Sequence, residues 1–124
     1  DVPLTVFQSI PLDGILIVTS PQDLVTNIVR KAYRMAGMMN IPVLGIIENM
    51  SYAVCPDCGR RIELFGHSKA EEVARNMDIP LLGRIPVHPG VAGLCDEGRI
   101  EAYDRHDLDE TIEAFEKVLE GDKL

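Results

Sequence analysis

Three short, unbroken apolar runs, residues 14–19 (GILIVT), 42–47 (PVLGII) and 80–85 (PLLGRI), alternate with longer stretches of helical period. A strand with one wet face alternates apolar and polar side chains, and these runs do not. They fit strands covered on both faces, as in a parallel sheet with helices on each side. Between the first two runs, Leu24, Ile28, Tyr33, Met35, Met38 and Met39 recur at near-helical spacing within residues 21–40. Ser20 suits the helix cap, Pro21 the first helical position, and Asp23 complements the free amides of the first turn. This pattern is a βαβ unit. Residues 68–77 predict a second crossover helix with Ala70, Val73, Ala74 and Met77 on one side. Residues 107–119 predict a closing amphipathic helix with Leu108, Ile112, Phe115 and Leu119 turned inward. Residues 1–10 predict another helix, capped by Asp1 and stopped at Pro11. The expected fold is α/β, a partial doubly wound parallel sheet flanked by helices, in one domain over residues 1–124. Sheets of this class have about five to seven strands, so further strands are expected upstream of Asp1.

The chain of 124 residues is 46% hydrophobic, enough for one layered core at the small end of the domain range. Its 20 Asp and Glu against 12 Lys and Arg leave a net charge of -8. A surface tracking nucleic-acid phosphates would have to be built against that field, so no nucleic-acid partner is expected. No apolar run approaches the roughly 18 residues that cross a bilayer, and no signal-type segment opens the chain. A cytoplasmic location with no membrane attachment is the expectation. Of the three cysteines, Cys55 and Cys58 stand three positions apart. In a reducing compartment that spacing points to metal or redox chemistry ahead of a disulfide framework.

In open α/β sheets, ligands gather beyond the carboxyl ends of the strands. Those ends are Thr19-Ser20-Pro21, Glu48-Asn49-Met50-Ser51 and Pro86-Val87-His88-Pro89. The primary amide of Asn49 offers a donor and an acceptor side by side and matches a purine edge; the alternative is an Asn that only bonds its own loop. A candidate metal-binding loop covers residues 51–66, centred on Cys55-Pro56-Asp57-Cys58-Gly59. A Pro that bends the chain and a Gly that allows a left-handed turn let both sulfurs face one metal. Two thiolates fill half of a tetrahedral sulfur site. The remainder could come from His67 or Cys95, or from the equivalent pair of a second copy across a two-fold axis. A structural zinc knuckle and a thioredoxin-like redox pair are the rivals. The redox pair needs its first Cys at a helix N-terminus, whereas Arg60, Arg61 and the apolar residues 62–65 look like a hairpin. Arg60 and Arg61 suit an anionic metal–thiolate centre. Cys95, among Val91, Ala92 and Leu94, is expected to be a buried structural thiol in a short helix.

The strings Ile17-Val18-Thr19-Ser20-Pro21-Gln22-Asp23, Gly45-Ile46-Ile47-Glu48-Asn49-Met50-Ser51, Cys55-Pro56-Asp57-Cys58-Gly59, Phe65-Gly66 and Gly83-Arg84-Ile85-Pro86 occur in this order. Together they resemble the Mrp/ApbC-type proteins, a MinD/ParA-like branch of the P-loop NTPases. That resemblance runs over nearly the whole chain. It implies an ATP-binding, homodimeric iron–sulfur cluster carrier, with a 4Fe–4S cluster bridged by the CxxC of each subunit and passed to apo-proteins. It makes Cys55 and Cys58 the cluster ligands, Asn49 the adenine-contacting amide, and Pro86 with Val87 the backbone lining of the base pocket. Asp1 resembles the acid that ends a switch-like segment, and the lysines that act with ATP and Mg belong upstream. Two positions depart from the pattern: His88 stands where an acid is expected, and Ser68-Lys69-Ala70 replaces a glycine-rich stretch. No glycine loop ending in Lys and Ser or Thr occurs in this chain, so it is not expected to hydrolyse ATP alone. Two further readings compete with the carrier. One is a non-enzymatic zinc-binding interaction module. The other is a MinD/ParA-like positioning ATPase, which calls for a membrane-seeking tail or a basic face where this chain has an acidic C-terminal helix.

Overall fold

The computed structural model describes residues 2–121 apart from 22, 23, 67, 104 and 105. Asp1, Gln22, Asp23 and His67, to which the sequence assigned roles, lie outside the described residues. All three apolar runs form strands, β1 (Ile15–Thr19), β2 (Val43–Glu48) and β5 (Leu81–Arg84), in one sheet of order β1-β2-β5. Both pairings are parallel, as the crossovers require. Thr19 lies opposite Glu48, and Glu48 opposite Arg84, so the three strand ends finish level. Between β2 and β5 the chain makes a small antiparallel hairpin, β3 (Ala53–Val54) with β4 (Arg61–Ile62).

Helices α2 (Val25–Met38) and α3 (Lys69–Met77) pack on each other and on one face of the sheet. Their shared core comprises Ile17, Val25, Val29, Ile46, Ala70, Val73, Ala74 and Ile79. Successive strand residues point to opposite faces, so Ile47 turns away from that core. There α5 (His106–Leu119) covers β5 and β2. The β2–β5 register skips a residue after Ile46, which sets Gly83 beside Ile47. A Cβ on Gly83 would collide with the Thr111 side chain, so glycine is what lets α5 close on the sheet. Helices α1 (Val2–Ser9) and α4 (Gly90–Asp96) and a 3-10 turn (Ile100–Ala102) complete the described chain.

Burial on both faces holds for β2 but not for β1, where Leu16 and Val18 are exposed, since α5 packs chiefly on β5 and β2. In α2 the inward face is Val25, Val29 and Ala36; Leu24, Ile28, Tyr33 and Met38 are exposed. Small β-branched and Ala side chains form the face toward the sheet, and Met35 and Met39 are half-buried beside it. This helix starts four residues later than its apolar spacing suggests, with Leu24 at the cap position and no side-chain cap bond. Ser20 and Pro21 are instead buried at the strand end. The inward face of α5 centres on Thr111, flanked by half-buried Leu108 and Phe115, whereas Ile112 and Leu119 are exposed. Helix α3 is as expected. Ser68 caps it by accepting from the Glu71 amide at 3.3 Å, and Asp78 closes it in the left-handed region. Among the described residues no helix is long and apolar enough to cross a membrane.

Ile46 is fully buried between the two crossover helices, and Leu24 is 73% exposed. Ile46→Ala should therefore lower unfolding free energy by about 2–5 kcal/mol. Leu24→Ala should change it by less than about 0.5 kcal/mol. Urea unfolding midpoints check both, and a large Leu24 effect would contradict the helix orientation.

Candidate functional site

The level strand ends bring together residues far apart in sequence. Beyond β1 and β2 the ladder continues as Asn49 donates its amide to the Thr19 carbonyl at 2.7 Å. Ile85 donates to Glu48 at 2.8 Å, Ser51 to Ile85 at 2.9 Å, and Val87 to Tyr52 at 2.7 Å. Asn49 and the segment carrying Pro86 and Val87 therefore share the carboxyl edge of the sheet. Asn49 is exposed, and its side-chain oxygen accepts from the Met50 amide at 2.9 Å. That bond is the local loop contact open to any Asn at a strand end, and it occupies the carbonyl while the amide group lies at an exposed position. Pro86 is buried and Val87 half-buried. His88 accepts from the Gly90 amide at 3.1 Å and meets the Tyr103 ring edge-on at 4.9 Å, so it organises the start of α4.

The thiol pair sits at the tip of the β3–β4 hairpin. Cys55 donates its amide to Arg60 and Gly59 donates to Cys55, each at 2.9 Å, with Gly59 at φ 74° as the left-handed turn demands. Inside this turn the Cys58 amide, then the Asp57 amide, then the Cys58 thiol hydrogen-bond the Cys55 sulfur and hold its pKa below the ordinary value. Both thiol-bearing residues border one hollow at the tip of the turn. No helix follows Cys55, so turn amides do what a helix dipole does in redox pairs. Cys55 is half-buried, Cys58 exposed, and both are free thiols. A hollow of about 360 Å³ lies against them, lined by Cys55, Cys58, Arg60, Arg61, Ile62 and Glu63. Among the described residues no group of three His, Cys, Asp or Glu side chains is placed to hold a metal ion. Cys95, expected to be buried, is exposed on α4, a short helix with no buried residue.

At the base of the hairpin lies a constellation that the sequence reading left without a role. Glu48 is completely buried. Ser51 donates to its Oε1 at 2.5 Å and Ser68 to its Oε2 at 3.0 Å. Arg84 Nε donates to Ser51 Oγ at 2.7 Å and to Glu48 Oε1 at 3.3 Å, and Arg84 Nη2 reaches Glu63 at 3.2 Å. Arg61 stacks over the buried Tyr52 ring at 4.3 Å, with Arg84 at 5.9 Å from the same ring. The available signal was an acidic residue closing an otherwise apolar run, at Glu48, and an arginine doing the same at Arg84.

A parallel sheet with helices on both faces, and a hairpin carrying two thiols beyond its carboxyl edge, make an α/β unit of P-loop-NTPase type. A family model described as NUBPL iron-transfer P-loop NTPase, of the ParA group, matches residues 1–121, and the chain belongs to that family. It is 43% identical over 99 residues to an iron–sulfur cluster carrier protein of Methanocaldococcus jannaschii, covering 79% of this chain and 34% of the relative. It is 36% identical over 110 residues to the mouse iron–sulfur cluster transfer protein NUBPL, covering 89% of this chain and 34% of the relative. A nucleotide-binding protein of Archaeoglobus fulgidus, solved in complex with ADP, superposes with a TM-score of 0.78 at 43% identity, over 86% of this chain and 44% of that one. The Aquifex aeolicus cell-division protein MinD shares the fold, with a TM-score of 0.58 at 17% identity, over 92% of this chain and 46% of that one. The chain thus spans about a third of the length of the curated relatives it matches.

Because the Cys58 and Asp57 amides lower the Cys55 pKa, the pH–rate profile for alkylation of Cys55 in metal-free protein should have its midpoint below that of the same thiol in urea. Mass-resolved iodoacetamide labelling measures this. Coincident midpoints would mean that the turn does not hold a thiolate.

Proposed function

We propose that this chain is the cluster-holding part of an iron–sulfur cluster carrier. Cys55 and Cys58 ligate half of a 4Fe–4S cluster, and the same pair on a second copy ligates the other half. The observation that carries this reading is a pair of free thiols, one of them exposed, lining one hollow at a hairpin tip. A four-iron cluster takes four thiolates. Two copies meeting tip to tip would supply them without any further residue type. Arg60 and Arg61 beside the hollow offset the negative charge of such a centre, and the turn amides that lower the Cys55 pKa favour its ligating form. Delivery is then thiolate exchange, in which thiolates of an apo iron–sulfur protein replace Cys55 and Cys58 one by one. The exposure of Cys58 gives the incoming ligand access.

The carboxyl edge would take the base of ATP, with the Asn49 amide donating to the purine and Pro86 and Val87 lining it with backbone. Gathering of Asn49 and residues 86–87 at that edge supports the assignment, since this is where open α/β sheets bind ligands. Residues acting on the phosphates and Mg would come from the rest of the protein. Nucleotide in that place would act as a switch, biasing the two-copy assembly between a state that grips its cargo and one that releases it.

Anaerobic reconstitution of the full-length protein tests the cargo. About four iron and four sulfide per two chains are expected for the wild type, and none for Cys55→Ser/Cys58→Ser. One zinc per two chains, unchanged by iron and sulfide, would favour the zinc module instead. For the nucleotide, Asn49→Ala should weaken ATP binding by about 0.5–1.5 kcal/mol. Unchanged calorimetric affinity would remove Asn49 from the pocket.

A further inference from the structure

The cysteine hairpin has little to hold it in place. Its strands are two residues each, and an isolated hairpin is marginal in water. Its apolar side chains Val54, Ile62 and Leu64 are exposed, so burial contributes little. What ties it to the sheet is at its base. The incoming leg is bonded through backbone, Ser51 to Ile85 and Val87 to Tyr52. Arg84 adds side-chain bonds to both legs, reaching Ser51 on the incoming one and Glu63 on the outgoing one. Glu48 accepts from the same Arg84 Nε that reaches Ser51 and, through its second oxygen, accepts from Ser68 at the start of α3. Glu48, Ser51, Glu63, Ser68 and Arg84 are closed into one clasp.

We infer that Arg84, anchored on the buried Glu48 carboxylate, is a positioning residue for the thiol pair: by clamping both legs it sets the orientation in which Cys55 and Cys58 meet their metal. This rests on reading the pair as the cluster ligands. The guanidinium suits the task because its planar fork donates in two fixed directions at once, from Nε toward Ser51 and Glu48 and from Nη2 toward Glu63. Lysine, a single point charge on a flexible stem, satisfies one of these at a time. Because Glu48 directly precedes Asn49, the same carboxylate links the strand end to the hairpin base.

The test uses the full-length protein and the variants Arg84→Lys and Glu63→Gln. In metal-free protein, hydrogen exchange of the Cys55 and Gly59 amides should quicken by about tenfold in Arg84→Lys, the size of a lost charge-assisted hydrogen bond. In Glu63→Gln, which removes the partly exposed partner, the change should be about two- to fivefold. Exchange at the core amide of Ile46 should stay within twofold, roughly the scatter of independent sites. After reconstitution with iron and sulfide, Arg84→Lys should show an altered visible circular dichroism spectrum and lose iron to a ferrous chelator about tenfold faster. Equal acceleration at Ile46 would make Arg84 a general stabiliser and overturn the inference, as would unchanged hairpin exchange. If Arg84→Lys does not fold, Glu63→Gln decides by the same measurements. A wild type that takes up no cluster would refute the carrier reading, and the exchange data would still judge the clasp.

Discussion

A carboxylate with no exposure is tolerable only when its charge is met by donors. Glu48 has two serine hydroxyls and the Arg84 guanidinium around it. Those donors lie 3, 20 and 36 residues away in sequence, so the charge is satisfied only when the parallel register of β2 and β5 and the start of α3 are all correct. A slip of one residue in that register would strand a buried charge. Local chemistry at one strand end thereby becomes a check on the assembly of the sheet.

The thiol pair is arranged on the opposite plan. It is half-buried at Cys55 and exposed at Cys58, built from a turn, and stabilised by amides and by its own second sulfur. Such a site holds a thiolate ready without enclosing it, which suits a ligand that must be shared and released. The chain carries a net charge of -8, yet Arg60 and Arg61 border the hollow beside the thiols. The anionic metal–thiolate centre proposed there would be offset locally against an acidic background. The hairpin is therefore a soft element whose aim is decided at its base, where the buried carboxylate sits.

Much of the fold could be read from pattern. The three apolar runs became three parallel strands, the crossover helix expected over residues 68–77 formed, and a hairpin carries the two cysteines. In α5, Ile112 and Leu119 were expected inside, but the face that meets the sheet centres on Thr111; in α2 that face is Val25, Val29 and Ala36, not the spaced Leu24, Ile28 and Tyr33. Spacing identifies a helix better than it identifies which stripe wins contact, because that depends on how near the partner surface comes. Ser20 had the chemistry of a cap yet is buried at the strand end, and Cys95 had apolar neighbours yet is exposed on a short helix with no buried residue. At the site, the spacing of Cys55 and Cys58 and the turn residues around them were visible in sequence because they act within five consecutive residues.

By itself, then, the sequence determined the strands, the crossovers and the dithiol turn, since each is decided by neighbours a few positions apart. Only the tertiary structure decided that Asn49 shares an edge with Pro86 and Val87, and that Glu48, Ser51, Ser68, Glu63 and Arg84 form one cluster under the hairpin. Those meetings follow from the level ends of parallel strands, and long-range register leaves no local trace in the chain.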